Sequence, residues 1–152
     1  MEVLQAVESV NEKQKSILFN KLMKHFNGDI KGKTIAIWGL AFKPETDDMR
    51  EAPALVLIDK IISVGASVKV YDPIAMPECK RRIGDKVVYC KDMYEAVVNV
   101  DTLLLVTEWK EFRMPNLEVL NKTMKNKVII DGRNIYDAKE MVESGFDYYK
   151  IG

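Results

Sequence analysis

The spacing of apolar residues changes once along the chain, near Gly28. Before it, apolar side chains recur at Val3, Leu4, Val7, Val10, Ile17, Leu18, Leu22 and Phe26, mostly three, four or seven positions apart. That spacing predicts one helix over residues 2–26. Phe19 and Met23 widen the stripe, and a helix apolar over more than one face has two neighbours: this chain, and a second subunit or another stretch of polypeptide. After "NGDIKGK" short β-branched runs alternate with helical stretches. TIAIWG (34–39), SVKVYD (67–72), KVVYC (86–90), TLLLVT (102–107) and KVIID (127–131) predict strands, and YYKIG (148–152) a sixth. Helices fall near 53–64, 75–83, 92–99, 115–125 and 136–144. Pro53 suits a first helical position and Gly65 a C-terminal cap. Near-continuous apolar strands alternating with helices predict an α/β fold, a Rossmann-like doubly wound parallel sheet of about six strands preceded by a long N-terminal helix.

Composition adds bounds. With 152 residues there is room for one domain with a proper core. Hydrophobic residues at 47% and charged ones at 30% are ordinary for a globular protein. Acids and bases balance at 23 each, which gives no broad electrostatic footprint for nucleic acid. No run approaches the ~18 apolar residues of a membrane span, and the N-terminus is not built like a signal peptide. The two cysteines, Cys79 and Cys90, have no metal or redox spacing, so a cytoplasmic location is expected, although one disulfide stays open.

Open parallel sheets bind ligands beyond the carboxyl ends of their strands. "GLAFKPETDDMR" follows the first strand, Asp72-Pro73 the second, Thr107-Glu108-Trp109 the fourth and "DGRN" (131–134) the fifth. In the common strand order the first, fourth and fifth strands are neighbours, which would set Lys43 and Arg133 along one edge. Two cations beside a helix N-terminus suit an anionic ligand. Arg133 could hold a phosphate by two parallel hydrogen bonds, or pair with Asp131 or Glu108 instead. Gly132 would let the backbone turn or approach closely. A dinucleotide fingerprint needs several glycines, and this loop has Gly39 alone. Asp72 resembles the acid that holds a ribose but lies 33 residues after Gly39, beyond the ~20 of the fingerprint. Complete NAD binding by this domain is therefore not expected.

Catalytic machinery is not evident. Cys79 sits in a predicted surface helix with no base partner, and Cys90 reads as a core residue. The single histidine, His25, ends a helix, where it would cap carbonyls or face solvent. Of the two tryptophans, Trp109 is the better placed for ligand contact. No residue is assigned a catalytic or metal-binding role.

The string "GLAFKPETDDMREAPAL" (39–55), with "YDP" at 71–73, "TEW" at 107–109, "DGRNIYD" at 131–137 and "VNEKQK" at 10–15, resembles the C-terminal, UDP-binding domain of the UDP-glucose/GDP-mannose dehydrogenase family. "TDDMREAP" looks nearest to the bacterial UDP-glucose 6-dehydrogenase branch. The resemblance implies an enzyme with an N-terminal NAD-binding domain, a central dimer-forming helix and this domain, which oxidises the C6 alcohol of UDP-glucose to UDP-glucuronate in two hydride transfers. It implies substrate contacts from Phe42, Lys43 and Arg133, and an NAD contact from Arg50 across the domain boundary. Residues 1–27 would be the later part of the central, dimerising helix, and 28–152 the UDP-sugar-binding domain. Neither cysteine stretch resembles the one that carries the family's nucleophile, and the glycine-rich NAD loop is missing, so the chain alone is expected to be inactive. Two alternatives stand beside this: a dimerisation module with a vestigial nucleotide edge, or the same domain from a UDP-N-acetyl-sugar or GDP-mannose dehydrogenase.

Overall fold

The structure is a computed structural model that describes residues 16–151. Helix α1 covers 16–25 of these; the earlier positions of the predicted first helix lie outside the described residues. Six parallel strands follow: β1 (Thr34–Trp38), β2 (Ser67–Tyr71), β3 (Val88–Tyr89), β4 (Thr102–Leu105), β5 (Val128–Asp131) and β6 (Asp147–Lys150). They form one sheet in the order β3-β2-β1-β4-β5-β6. Between them lie α2 (Pro53–Ser63), α3 (Met76–Ile83), α4 (Met93–Val97), α5 (Leu117–Thr123) and α6 (Ala138–Glu143), with a 3-10 turn at Lys110–Phe112. Every predicted strand and helix in the described range is present. The third strand is cut to two residues, as suits an edge strand with only β2 to pair with.

Alternation along the strands sends side chains to two cores. Ile35 and Ile37 of β1, Leu104 of β4 and Val128 and Ile130 of β5 pack with α1, α2 and α3. Ala36 and Trp38, Leu103 and Leu105, and Ile129 face the other layer, with α4, α5 and α6. Because both faces are covered, the strands carry the continuous apolar runs seen in the sequence. Leu18 and Leu22 of α1 are buried in the first core, and Phe19, Met23 and Phe26 pack against it. Over its described part the widened apolar face is thus only partly covered by this same domain, since Ile17, Phe19, Met23 and Phe26 stay half-buried.

Strand order fixes where a ligand can bind. Order reverses at β1, between β2 on one side and β4 on the other, which opens a crevice at the strand ends. Leu105 of β4 is in register with Asp131 of β5, and the Gly132 amide donates to the Leu105 carbonyl at 2.9 Å. The segments that follow β4 and β5 therefore leave the sheet side by side.

Candidate functional site

Two buried carboxylates shape the loops at this edge. Asp72, fully buried at the end of β2, accepts from the Leu40 amide at 2.8 Å and from the Ile74 and Ala75 amides at 2.8 and 2.7 Å. It ties the loop after β1 to the turn after β2. Asp131, also fully buried, accepts from the amides of Arg133 (2.9 Å), Ile135 (2.8 Å) and Tyr136 (3.0 Å) and from the Tyr148 hydroxyl (2.6 Å). Strand ends leave amides without ladder partners, and a carboxylate satisfies several at once. Burial, then the hydrogen bond to Asp131, push the Tyr148 phenol well above its ordinary value, so it remains a donor.

Glycine permits the two tight approaches. Gly39 has φ +94°, and a Cβ there would run into the side chain and amide of Thr107. A Cβ on Gly132 would lie 2.6 Å from the Leu105 carbonyl and 3.0 Å from a Leu18 methyl. Both positions press one loop onto its neighbour, as the sequence suggested for Gly132. Leu40, Ala41 and Met49 of the loop after β1 are fully buried. The loop is anchored by these apolar positions and presents its polar ones to solvent.

The predicted contact residues are brought together along this edge. Phe42 and Arg133 line one cleft of about 180 Å³ with Leu18, Pro53, Val106, Gly132, Asn134 and Ile151. Phe42, 43% exposed, also lines a second hollow of about 420 Å³ with Lys43, Pro44, Thr46, Asp48 and Arg50. Phe42 thus lines both hollows, one shared with Arg133 and Asn134 and the other with Lys43, Asp48 and Arg50. Lys43 is exposed and makes no ion pair with the described residues. Arg50 is folded back onto Asp48, with Nε and Nη2 donating to the two carboxylate oxygens at 3.0 and 2.9 Å. That hydrogen bond holds the Asp48 carboxyl down at about 2. Arg133 donates from Nη2 to Glu108 Oε1 at 2.7 Å, one of the alternatives open in the sequence. The other Glu108 oxygen lies 3.7 Å from Arg113.

Several expectations change. Cys79 is completely buried, because it lies on the inner side of α3, and burial raises its thiol as it does that of Cys90. Both thiols are free. Neither has the exposed cationic setting of a nucleophile. His25 is half-buried, and its Nδ1 pairs with the Tyr149 hydroxyl at 2.6 Å, a contact 124 residues away in sequence. Trp109 is a core residue whose indole N–H has no partner among the described residues. Asp72, the one candidate for a ribose-binding acid, is consumed by three amides. With a single glycine beside it, this edge does not fit a complete dinucleotide. Among the described residues no cluster has the makings of a metal site, and no helix is long and apolar enough to cross a membrane.

Residues 36–138 match the model of the UDP-glucose/GDP-mannose dehydrogenase family, UDP-binding domain. The chain is 42% identical over 99% of its length to a UDP-glucose 6-dehydrogenase of Pseudomonas aeruginosa and 43% identical, over the same share, to one of Bacillus subtilis. It spans about a third of the length of these relatives. Among solved structures, a UDP-glucose dehydrogenase from Pyrobaculum islandicum superposes with a TM-score of 0.80 at 29% identity, over 97% of this chain and 31% of that one. A UDP-D-ManNAc dehydrogenase from Pyrococcus horikoshii gives 0.70 at 28%, over 95% and 31%.

Proposed function

We propose a function for a chain that belongs to the UDP-glucose/GDP-mannose dehydrogenase family, as its UDP-binding domain: it holds the UDP half of UDP-glucose for an NAD-dependent UDP-glucose 6-dehydrogenase. The whole enzyme would oxidise the C6 alcohol to a carboxylate in two hydride transfers, giving UDP-glucuronate. This domain contributes binding rather than bond-breaking. Phe42, Lys43 and Arg133 are its substrate contacts. NAD would be held by another part of the enzyme, since this edge does not fit it, and Arg50, with its side chain 80% exposed, is the group offered to it across the boundary. Homodimerisation through residues 1–27 belongs to the same reading.

The observation that carries the proposal is the position of Phe42, which lines both the cleft shared with Arg133 and the hollow shared with Lys43. A nucleotide sugar has two parts that such adjoining hollows can hold, an aromatic base with its ribose and a diphosphate. Saturation-transfer NMR on the chain with UDP, UDP-glucose, GDP-mannose and NAD tests it. Signal from the uridine ligands above the other two, lost in Lys43→Ala, is the expected result. Equal signal from GDP-mannose would move the assignment to another branch of the family, and silence from all four would leave the edge without a nucleotide role in this chain.

A further inference from the structure

The β5 side of the edge is electrostatically cancelled, and Glu108 is what cancels it. Arg133 and Arg113 bring two positive charges there, and Glu108 and Asp131 two negative ones. The hollow on the β1 side is lined by Lys43, Arg50 and Asp48, in a loop that also carries exposed Glu45, Asp47 and Glu51; there Arg50 is paired with Asp48, and Lys43 makes no ion pair with the described residues. The pairing at Arg133 is also one-sided. Glu108 takes Nη2 alone, and no other described residue accepts from the guanidinium, so Nε and Nη1 stay available as donors. With both side chains about one-third exposed, the pair is sheltered enough for the nearby carboxylate to repel an incoming phosphate.

We infer that Glu108 makes Arg133 a charge-neutral hydrogen-bond donor for uncharged oxygens of the nucleoside, and thereby leaves the diphosphate to Lys43. The inference rests on the nucleotide-binding reading above and adds a division within it. Glu108 is a positioning residue: it acts through Arg133, aiming the guanidinium into the cleft beside Phe42 while removing its attraction for anions. Selectivity then arises as much from the repulsive carboxylate as from the donors it orients. The surroundings allow it, since the cleft sets the apolar Leu18, Phe42, Val106 and Ile151 beside Arg133 and Asn134, a mixed lining that can take both the flat face of a base and the oxygens of a sugar.

The test is calorimetric titration of uridine, UDP and inorganic pyrophosphate into the wild-type chain and into Glu108→Gln, Arg133→Ala and Lys43→Ala. Glutamine keeps the shape and the acceptor oxygen and removes only the charge. Glu108→Gln should bind pyrophosphate about threefold more tightly or better, with a steeper salt dependence, and leave uridine unchanged within about twofold. Arg133→Ala should weaken uridine and UDP alike by about tenfold, whereas Lys43→Ala should weaken UDP and spare uridine. Unchanged pyrophosphate binding in Glu108→Gln, or a parallel loss of uridine and pyrophosphate, would overturn the inference while wild-type UDP binding kept the nucleotide reading intact. A wild-type chain that bound neither uridine nor UDP would overturn both.

Discussion

The loops after β1 and β5 each carry a cation to the same edge, but they hold it differently. The β5 loop is short and fixed from beneath: Asp131 takes three of its amides and a tyrosine hydroxyl, Asn134 adopts φ +56° and exchanges two hydrogen bonds with Ile151, and Arg133 is pinned by Glu108. The β1 loop is long. It is anchored by buried Leu40, Ala41 and Met49 and by the Leu40 amide on Asp72, while Lys43 and Arg50 stay exposed. The difference teaches that two cations near one ligand need not be equivalent. Arg133 is preorganised and loses little freedom on binding, whereas Lys43 must be ordered by the ligand, as suits a point charge on a flexible stem.

The contrast breaks most sharply at its buried support. Asp131→Ala removes one carboxylate and strands three amides and the Tyr148 hydroxyl, so it should destabilise the fold by about 3–5 kcal/mol in a urea unfolding experiment. A loss below about 1 kcal/mol would mean the β5 loop does not depend on that carboxylate. Gly39→Ala comes next. The positive φ and the clash with Thr107 should cost about 1–3 kcal/mol by the same measurement, and a neutral result would show the close approach to be adjustable. Lys43→Ala should leave stability within about 0.5 kcal/mol of wild type and raise the KM for UDP-glucose in the complete enzyme by a factor matching about 1.5–3 kcal/mol. An unchanged KM would remove Lys43 from the site. The smallest effect is at Arg50. Its guanidinium favours the charged form of Asp48, so the folded-state value lies below the unfolded one. What little the pair contributes is present above the ordinary carboxylate range and lost as pH falls through about 2. In Arg50→Ala the Asp48 carboxyl, followed by NMR, should rise toward the ordinary range, held below it only by the backbone amide of residue 50 that remains, with no measurable change in stability and a raised KM for NAD. A midpoint that did not move at all would mean that the backbone amide of residue 50 or another charge, not the guanidinium, holds Asp48 down.

Most of the fold could be read from the sequence because one physical signal determines it. A parallel sheet covered on both faces needs uninterrupted apolar strands, and TIAIW, TLLL and VIID are such runs. The strand order followed from the doubly wound pattern, and it brought Lys43 and Arg133 to one edge as expected. The roles of charged residues were far less legible. Asp72 resembled a ribose acid but lay too far from Gly39, and the three amides that converge on it give it a structural role instead. Glu108 and Arg133 lie 25 residues apart; the sequence left Arg133 open to a phosphate, Asp131 or Glu108, and the register of β4 on β5 brings it to Glu108. Cys79 was placed on a predicted surface helix, yet an eight-residue helix buries one side while the other carries Lys80, Arg81 and Arg82. The His25–Tyr149 contact joins the first described helix to the last strand and leaves no local trace.

The central claim is that the two loops form one nucleotide site. A titration of UDP into the isotope-labelled chain, followed by amide chemical shifts, tests it most directly. The account predicts that the amides of Phe42 and Lys43 shift along the same saturation curve as those of Gly132, Arg133 and Asn134. Shifts confined to one loop, or two loops that saturate at different concentrations, would contradict it.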